Sequence, residues 1–218
     1  DPVSLPERIR GQVIFENISF HYNGAVEEPV LSGINLVAEP GQTVAILGAT
    51  GAGKTSLAEV MLFKAGVINR IGRVEDGNTA MDTEPEEIKR GASLSCGLHQ
   101  FEWKKHAISL IDTPGDQNFF TDTQNALQAV DAAIFLIDGV DGIRFQSEQA
   151  WEMAARLGLP CAIFINKLDK DRADFHKMVD EAAEIFKSPK PIILQVPIGA
   201  EAQFKGVVDL VSQKAFTY

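Results

Sequence analysis

Short apolar runs alternate along most of this chain with longer segments in which apolar residues recur every three or four positions. Nearly continuous apolar runs are typical of buried strands in a parallel sheet, whereas the longer spacing is typical of helices that pack on it. After residue 42, the predicted strands are 43–47, 98–103, 107–111, 132–138, 161–165 and 192–196. The predicted helices are 56–63, 119–129, 147–157 and 172–187. This order predicts an α/β fold with a mainly parallel sheet between layers of helices.

The segment before residue 41 has a different pattern, in which apolar and polar residues partly alternate and no helix is indicated. Residues 13–20 and 30–37 are rich in β-branched and aromatic side chains and predict two strands. Asn23 and Gly24 begin a turn or loop between them. We therefore expect an N-terminal antiparallel strand pair that extends the central sheet.

Composition and charge limit the possible functions. With 218 residues and 45% hydrophobic side chains, the chain can build a sizeable core. A formal net charge of −10 argues against direct binding of nucleic acid by this fragment. Cys96 and Cys161 are far apart in sequence, and we expect free thiols in a reducing compartment. No signal peptide or membrane-spanning run is evident, which predicts a cytoplasmic protein without membrane contact; its oligomeric state is left open.

Residues 48–55 match the phosphate-binding pattern of a glycine, four residues and Gly-Lys-Thr, between the strand 43–47 and the helix 56–63. Glycines let backbone N–H groups converge on a phosphate, and the helix directs its positive end at the same point. Lys54 supplies a charge for the outer phosphates, and the Thr55 hydroxyl can hold Mg²⁺. The predicted nucleotide-binding residues here are Gly48, Ala49, Thr50, Gly51, Ala52, Gly53, Lys54, Thr55 and Ser56. The motif specifies the fold as a three-layer P-loop NTPase sandwich.

Two further motifs follow predicted strands. Asp112 ends one strand, where a carboxylate can support Mg²⁺, and Gly115 can donate its N–H to the γ-phosphate. Asn166-Lys-Leu-Asp169 ends another strand. The Asp169 carboxylate can accept two hydrogen bonds from guanine, a donor pair that adenine does not present. Lys167 can cover the ring face, and Asn166 can tie this loop to the P-loop.

The first part of the chain resembles the start of an ABC transporter nucleotide-binding domain, in residues 15–22, 30–36 and 40–51. In that family a tyrosine at the position of Tyr22 stacks on adenine, which implies an alternative site for ATP or ADP. The Leu-Ser-Gly-Gly-Gln signature of transporters is missing from this sequence, and no strand ends in Asp-Glu. Coupling to transport is therefore not indicated.

From Gly51 onward the chain is similar to the GTPase domain of elongation factor G, in residues 51–68, 72–79 and 86–91. The two resemblances predict a chimera of residues 1–50 and 51–218, joined near Gly48 to Gly51 and truncated in an inserted subdomain. A natural GTPase with a divergent first strand is the alternative. The second resemblance implies GTP or GDP with Mg²⁺ as ligands, and it implies a ribosome partner only for the parent factor.

Several positions depart from the elongation factor G pattern. The family has threonine where Ser93 stands, in a long switch segment, 66–94, whose poor apolar periodicity predicts a loop without helices or strands; whether this loop is ordered is left open. It has a water-positioning histidine where Asp116 stands, which predicts slow hydrolysis. The Ser-Ala loop that completes the base pocket is missing, and Gly199 and Ala200 are its expected substitute.

The predicted function is Mg²⁺-dependent GTP binding with slow hydrolysis. Lys54, Gly115 and Asp116 are the candidate catalytic residues, and Thr55, Asp112 and Ser93 are the candidate metal residues. Two alternatives remain open: a promiscuous ATP binder that uses Tyr22, and a fusion protein that holds nucleotide or phosphate without turnover.

Overall fold

The computed structural model describes residues 13–20, 31–38, 43–82, 84–187 and 190–217, with side chains described from residue 43 onward. The strands are β1 (Val13–Phe20), β2 (Leu31–Ala38), β3 (Thr43–Gly48), β4 (Gly97–Trp103), β5 (His106–Asp112), β6 (Ala132–Asp138), β7 (Cys161–Asn166), β8 (Gln195–Ile198), β9 (Gly206–Asp209) and β10 (Lys214–Thr217). The α-helices are α1 (Lys54–Lys64), α2 (Pro85–Arg90), α3 (Phe120–Gln128), α4 (Phe145–Arg156) and α5 (Phe175–Ile185). Short 3₁₀ helices span Gln117–Phe119 and Glu201–Gln203.

A five-stranded sheet in the order β4-β5-β3-β6-β7 forms the centre of the fold. β3 pairs in parallel with β5 and β6, and β6 pairs in parallel with β7. β4 is antiparallel to β5, and the turn between them holds Lys104 and Lys105 with positive φ angles of 48° and 71°. The predicted fold class and this hairpin are confirmed. The carboxyl ends of β3, β5, β6 and β7 lie on one edge, where a ligand is expected in such sheets.

Alternate residues of the central strands point to opposite faces of the sheet, and each face is covered by helices. Val44 and Ile46 of β3 pack with α1 in one core cluster, whereas Ala45 and Leu47 pack with α3, α4 and α5 in the other. In the second cluster, Trp151 stacks on Phe186 with ring centroids 4.3 Å apart. The strands are therefore buried on both faces, which explains their nearly continuous apolar sequences.

The N-terminal strand pair forms, but it does not extend the central sheet. β1 and β2 are antiparallel partners in a separate two-stranded sheet. The expectation of an extension is therefore wrong. Alternation of apolar residues predicts a strand, but it does not specify which other strand it pairs with.

A separate three-stranded antiparallel sheet follows the central sheet, in the order β10-β9-β8. Its strand β8 begins at Gln195, later than the predicted strand 192–196, and Ile192 is 84% exposed. β8 lies at the edge of its sheet, where Pro197 is tolerated because an edge strand has N–H positions that need no partner. The apolar run at 192–194 is thus an exposed segment that leads into the strand.

The switch segment, predicted to be a loop without helices or strands, contains the helix α2. Pro85 begins the helix, and the Glu87 side chain accepts a hydrogen bond from the Glu84 N–H, as in a capping box. Gly91 ends it with a φ of 63°. The expectation was wrong because these end signals outweigh a weak apolar pattern in a helix of only six residues.

Two buried carboxylates hold the rest of this segment. Glu59 on α1 accepts from the N–H groups of Gly72 and Met81 at 2.9 and 3.2 Å. Glu87 accepts from the N–H groups of Leu94 and Ser95 at 2.8 and 3.0 Å. These side chains bond backbone N–H groups that a helix or strand would otherwise satisfy, so the described parts of the segment outside α2 are held without regular secondary structure.

Both cysteines, Cys96 and Cys161, are free thiols, as predicted, and burial raises the pKa of each to about 11. Within the described ranges, none of the helices combines the length and the apolar character that a membrane span needs.

Candidate functional site

The phosphate-binding loop connects β3 to α1 at the carboxyl edge of the central sheet. Gly48, Gly51 and Gly53 have positive φ angles of 150°, 84° and 98°. A side chain on Gly48 would collide with the Leu136 carbonyl of β6, and one on Gly53 would lie 2.5 Å from the Asn166 amide nitrogen. These glycines therefore let the loop turn back tightly against neighbouring strands. Because α1 begins without a side-chain cap, its first N–H groups are left for a ligand.

The Lys54 side chain is buried within this loop, with 6% of its surface exposed. Its ammonium group donates to the Ala49 carbonyl at 3.1 Å. Burial lowers the pKa of Lys54, while the negative charges of Asp112 and Asp82 act to raise it. A buried ammonium group with one of its three donors on the loop backbone is well placed to bind phosphate oxygens.

A buried hydroxyl and carboxylate pair lies next to the loop. The Thr55 hydroxyl donates to Asp112 Oδ2 at 2.8 Å, and Asp112 Oδ1 is buried without a hydrogen-bond partner in the described part of the chain. Burial raises the pKa of Asp112 to about 6, although the nearby Lys54 charge and the Thr55 hydroxyl act to lower it. A buried carboxylate oxygen without a partner beside a hydroxyl fits a hydrated Mg²⁺ ion, which binds oxygen ligands and retains waters.

The segment after β5 closes over the phosphate-binding loop. The Thr113 hydroxyl donates to the Ile46 carbonyl at 2.9 Å and fixes the start of this segment. A side chain on Gly115 would collide with the Thr50 backbone and would lie 2.7 Å from the Lys54 ammonium nitrogen. Glycine is therefore required at position 115 for the backbone to approach the loop this closely.

The Asp116 carboxylate is engaged locally. It accepts from the Asn118 backbone N–H and from the Asn118 side-chain amide, both at 2.9 Å, and caps the 3₁₀ helix that begins at Gln117. Both bonds are accepted by Oδ1, so they fix the orientation of the carboxylate and leave Oδ2 as the oxygen that could accept a hydrogen bond from a water molecule.

The strand β7 delivers the Asn166-to-Asp169 motif to the same edge. The Asn166 amide donates to the Ala52 carbonyl at 2.9 Å, which joins this loop to the phosphate-binding loop. The Lys167 ammonium group lies 2.7 Å from Asp138 at the end of β6. Asp169 is mostly buried and lies 3.1 Å from the Lys170 ammonium group, so its carboxylate is already paired with a cation.

The turn that contains Gly199 and Ala200 lies beside this motif. The next residue, Glu201, donates its N–H to the Leu168 carbonyl at 3.0 Å. The Glu201 carboxylate accepts from the Arg172 N–H at 2.7 Å. These two bonds place the turn next to the Asn166-to-Asp169 loop.

One candidate metal residue, Ser93, is not brought next to the Thr55 and Asp112 pair. The Ser93 hydroxyl donates to Asp82 Oδ1 at 2.7 Å, so in this structure it is directed at Asp82 and not at the Thr55 and Asp112 pair. Tyr22 lies outside the described residues.

The sequence reasoning missed Asp82, Asp138 and Glu201. Asp138 could have been found, since it ends an apolar strand just as Asp112 does. Asp82 and Glu201 carry no comparable signal, because their roles depend on how loops fold back onto the site.

The central sheet, the glycine loop before α1 and the strand-end carboxylates define a P-loop nucleotide-binding fold. The family model described as "Elongation factor Tu GTP binding domain" matches residues 39–215. The chain therefore belongs to the family of that GTP-binding domain. Membership in this family supports guanine-nucleotide binding, with Mg²⁺ as its general cofactor.

Individual relatives agree with this assignment. The chain is 43% identical over 180 residues to elongation factor G of Granulibacter bethesdensis, a match of 81% of this chain and 25% of the relative. It is 35% identical over 177 residues to elongation factor G 1 of Geobacter sulfurreducens, with 81% and 26% covered. A crystal structure from Thermus thermophilus superposes with a TM-score of 0.74 at 33% identity, covering 81% and 26%. The chain spans about a quarter of the length of these relatives.

Proposed function

We propose that this chain binds GTP and GDP together with Mg²⁺ and hydrolyses GTP slowly. The observation that carries the proposal is the 2.9 Å hydrogen bond from the Asn166 amide to the Ala52 carbonyl. This bond holds the loop of residues 166–169 beside the glycine loop of residues 48–53, which supports a single ligand that reaches both. Family membership supports the same ligand class.

Different residues bind the phosphate end and the base end of the nucleotide. Residues 48–56 and the Lys54 ammonium group bind the phosphates, and the Gly115 N–H supports the γ-phosphate. Thr55 and Asp112 hold the metal, which neutralises phosphate charge when bound. At the other end, the Asp169 carboxylate exchanges its contact with Lys170 for the two donors of guanine. Gly199 and Ala200 line the base from the side.

Hydrolysis is expected to be slow because Asp116 is poorly suited to orient a water molecule. Asn118 fixes one oxygen of its carboxylate, and the negative charge of the carboxylate would repel a phosphate. We expect single-turnover hydrolysis of bound GTP on the order of 10⁻⁴ to 10⁻² per second, as in GTPases without an activating partner. The measurement follows GDP formation with Mg²⁺ and with EDTA in its place. GDP formation that is the same in EDTA, or no GDP formation with Mg²⁺, would contradict this part of the proposal.

Replacing Asp116 with histidine is expected to accelerate this hydrolysis. The imidazole can orient a water molecule or accept a proton from it. We therefore expect the rate of GTP hydrolysis to increase by roughly 10- to 100-fold, near the lower end for a positioned acid–base group. Asp116→Asn is the matched control, since it removes the charge without supplying an imidazole. Equal rates in Asp116→His and the unsubstituted protein, measured with bound GTP, would exclude position 116 as the water-positioning site.

We propose further that residues 1–50 are an ABC-transporter-like segment joined to a GTPase core. The family match covers residues 39–215, so residues 1–38 lie outside it, and residues 15–22, 30–36 and 40–51 resemble the other family. An ATP site that uses Tyr22 is the competing function, and a competition titration between guanine and adenine nucleotides separates the two. We also propose a cytoplasmic location, in keeping with translation-factor relatives.

A further inference from the structure

An ion pair between Lys167, a predicted site residue, and Asp138, which was not predicted, joins the base-reading loop to β6. The Lys167 ammonium nitrogen lies 2.7 Å from Asp138 Oδ2, with 35% of the lysine side chain and 12% of the aspartate side chain exposed. Lys167 has a φ of 61°, in the left-handed region that residues with side chains rarely adopt. Such a conformation persists where surrounding contacts enforce it, and it often lies at a functional site.

The partner of Lys167 is fixed in place by its own contacts. Asp138 Oδ1 accepts from the N–H groups of Val140 and Asp141 at 2.9 and 3.1 Å. Asp138 is also paired with Asn166 in the parallel register of β6 and β7. The carboxylate that holds Lys167 is therefore attached rigidly to the strand beside the base-reading motif.

The two oxygens of Asp138 divide their contacts between the loop backbone and the lysine. Burial acts to raise the pKa of Asp138, but the hydrogen bonds from Lys167, Val140 and Asp141 outweigh it and lower that pKa. The carboxylate is thus charged at neutral pH. A free lysine side chain has many rotamers, and binding that requires one of them loses this freedom. Preorganisation by a fixed carboxylate removes most of that cost before the ligand arrives.

We infer that Asp138 is a positioning residue for base recognition, which holds the Lys167 ammonium group in place over the ring of a bound guanine nucleotide. This inference rests on the proposed function, because it assigns a role within the same base site. Asp138 itself does not contact the nucleotide, and it acts through Lys167.

A double-mutant cycle with GDP as the probe tests this inference. Asp138→Asn preserves the shape of the side chain and an acceptor for Val140 and Asp141, but it removes the charge that holds Lys167. We expect Asp138→Asn alone to weaken GDP binding by roughly 5- to 20-fold, which lies within the range of about 2- to 150-fold expected for coupled contacting residues. In a Lys167→Ala background, the same change should alter GDP affinity by less than about twofold. Glu152→Gln, which removes a carboxylate from an exposed ion pair with Arg156 on α4, should leave affinity unchanged.

Other outcomes overturn the inference. An equal loss of affinity in both backgrounds would mean that Asp138 supports the fold independently of Lys167. An Asp138→Asn chain that binds GDP normally, or that shows no cooperative thermal unfolding, would exclude a positioning role. Failure of the proposed function gives a different result, because the unsubstituted chain would then bind no GDP and the inference would fall with it.

Discussion

Replacing Lys54 with alanine is expected to weaken GTP binding by roughly 100-fold or more, since charge-assisted hydrogen bonds contribute about 1.5–3 kcal/mol each and an ammonium group can reach two phosphates. The fold should persist. Lys54 begins α1 directly after a loop built by glycines, and burial lowers its pKa. Among the described hydrogen bonds, its side chain bonds only the Ala49 carbonyl. The measurement is the equilibrium affinity for GTP with Mg²⁺, together with the thermal unfolding temperature.

Lys64→Ala is the matched control for this substitution, because Lys64 is an exposed residue in the last turn of the same helix. It should bind GTP like the unsubstituted protein. Unchanged triphosphate affinity in Lys54→Ala would remove residues 48–55 from the proposed phosphate site.

Replacing Asp169 with asparagine is expected to remove most of the preference for guanine over adenine nucleotides. Two charge-assisted contacts of about 1.5–3 kcal/mol each are lost or weakened, whereas an adenine ring uses neither. We expect the ratio of ADP to GDP dissociation constants to fall by roughly 10- to 100-fold. Tyr22→Ala should change the ratio little, because stacking on tyrosine tolerates every base and contributes roughly 1–3 kcal/mol.

The control for this experiment is Asp171→Asn, an identical change at an exposed position in the same loop. It should leave the ratio unchanged. The same ratio in Asp169→Asn as in the unsubstituted protein would mean that the base lies elsewhere.

The central sheet could be predicted because its strands are buried on both faces. Val44 to Leu47 and Ile134 to Ile137 leave no polar position, so each run specifies a buried strand regardless of its partners. The P-loop was equally predictable, since its glycines are required by the positive φ angles and by close contacts such as that of Gly53 with Asn166. These features are local, and a local pattern is enough to reveal them.

The parts that could not be predicted depend on contacts between distant residues. Glu59 on α1 binds backbone groups of residues 72 to 81, and nothing in the sequence near Glu59 marks it as an acceptor. The pairing of Asp138 with Lys167 likewise follows from the register of β6 and β7. The separate sheet formed by β1 and β2 shows that alternation identifies strands without identifying their neighbours.

The most direct test of the guanine-nucleotide site is a competition titration on the unsubstituted protein. A fluorescent GDP analogue is displaced with GDP, GTP, ADP and ATP in the presence of Mg²⁺. A guanine-specific site at Asp169 predicts that the guanine nucleotides displace the analogue at concentrations at least about tenfold lower than the adenine nucleotides, a difference of about 1.4 kcal/mol. ATP that competes equally with GTP, and loses this ability in Tyr22→Ala, would contradict it and would assign the nucleotide to an adenine site.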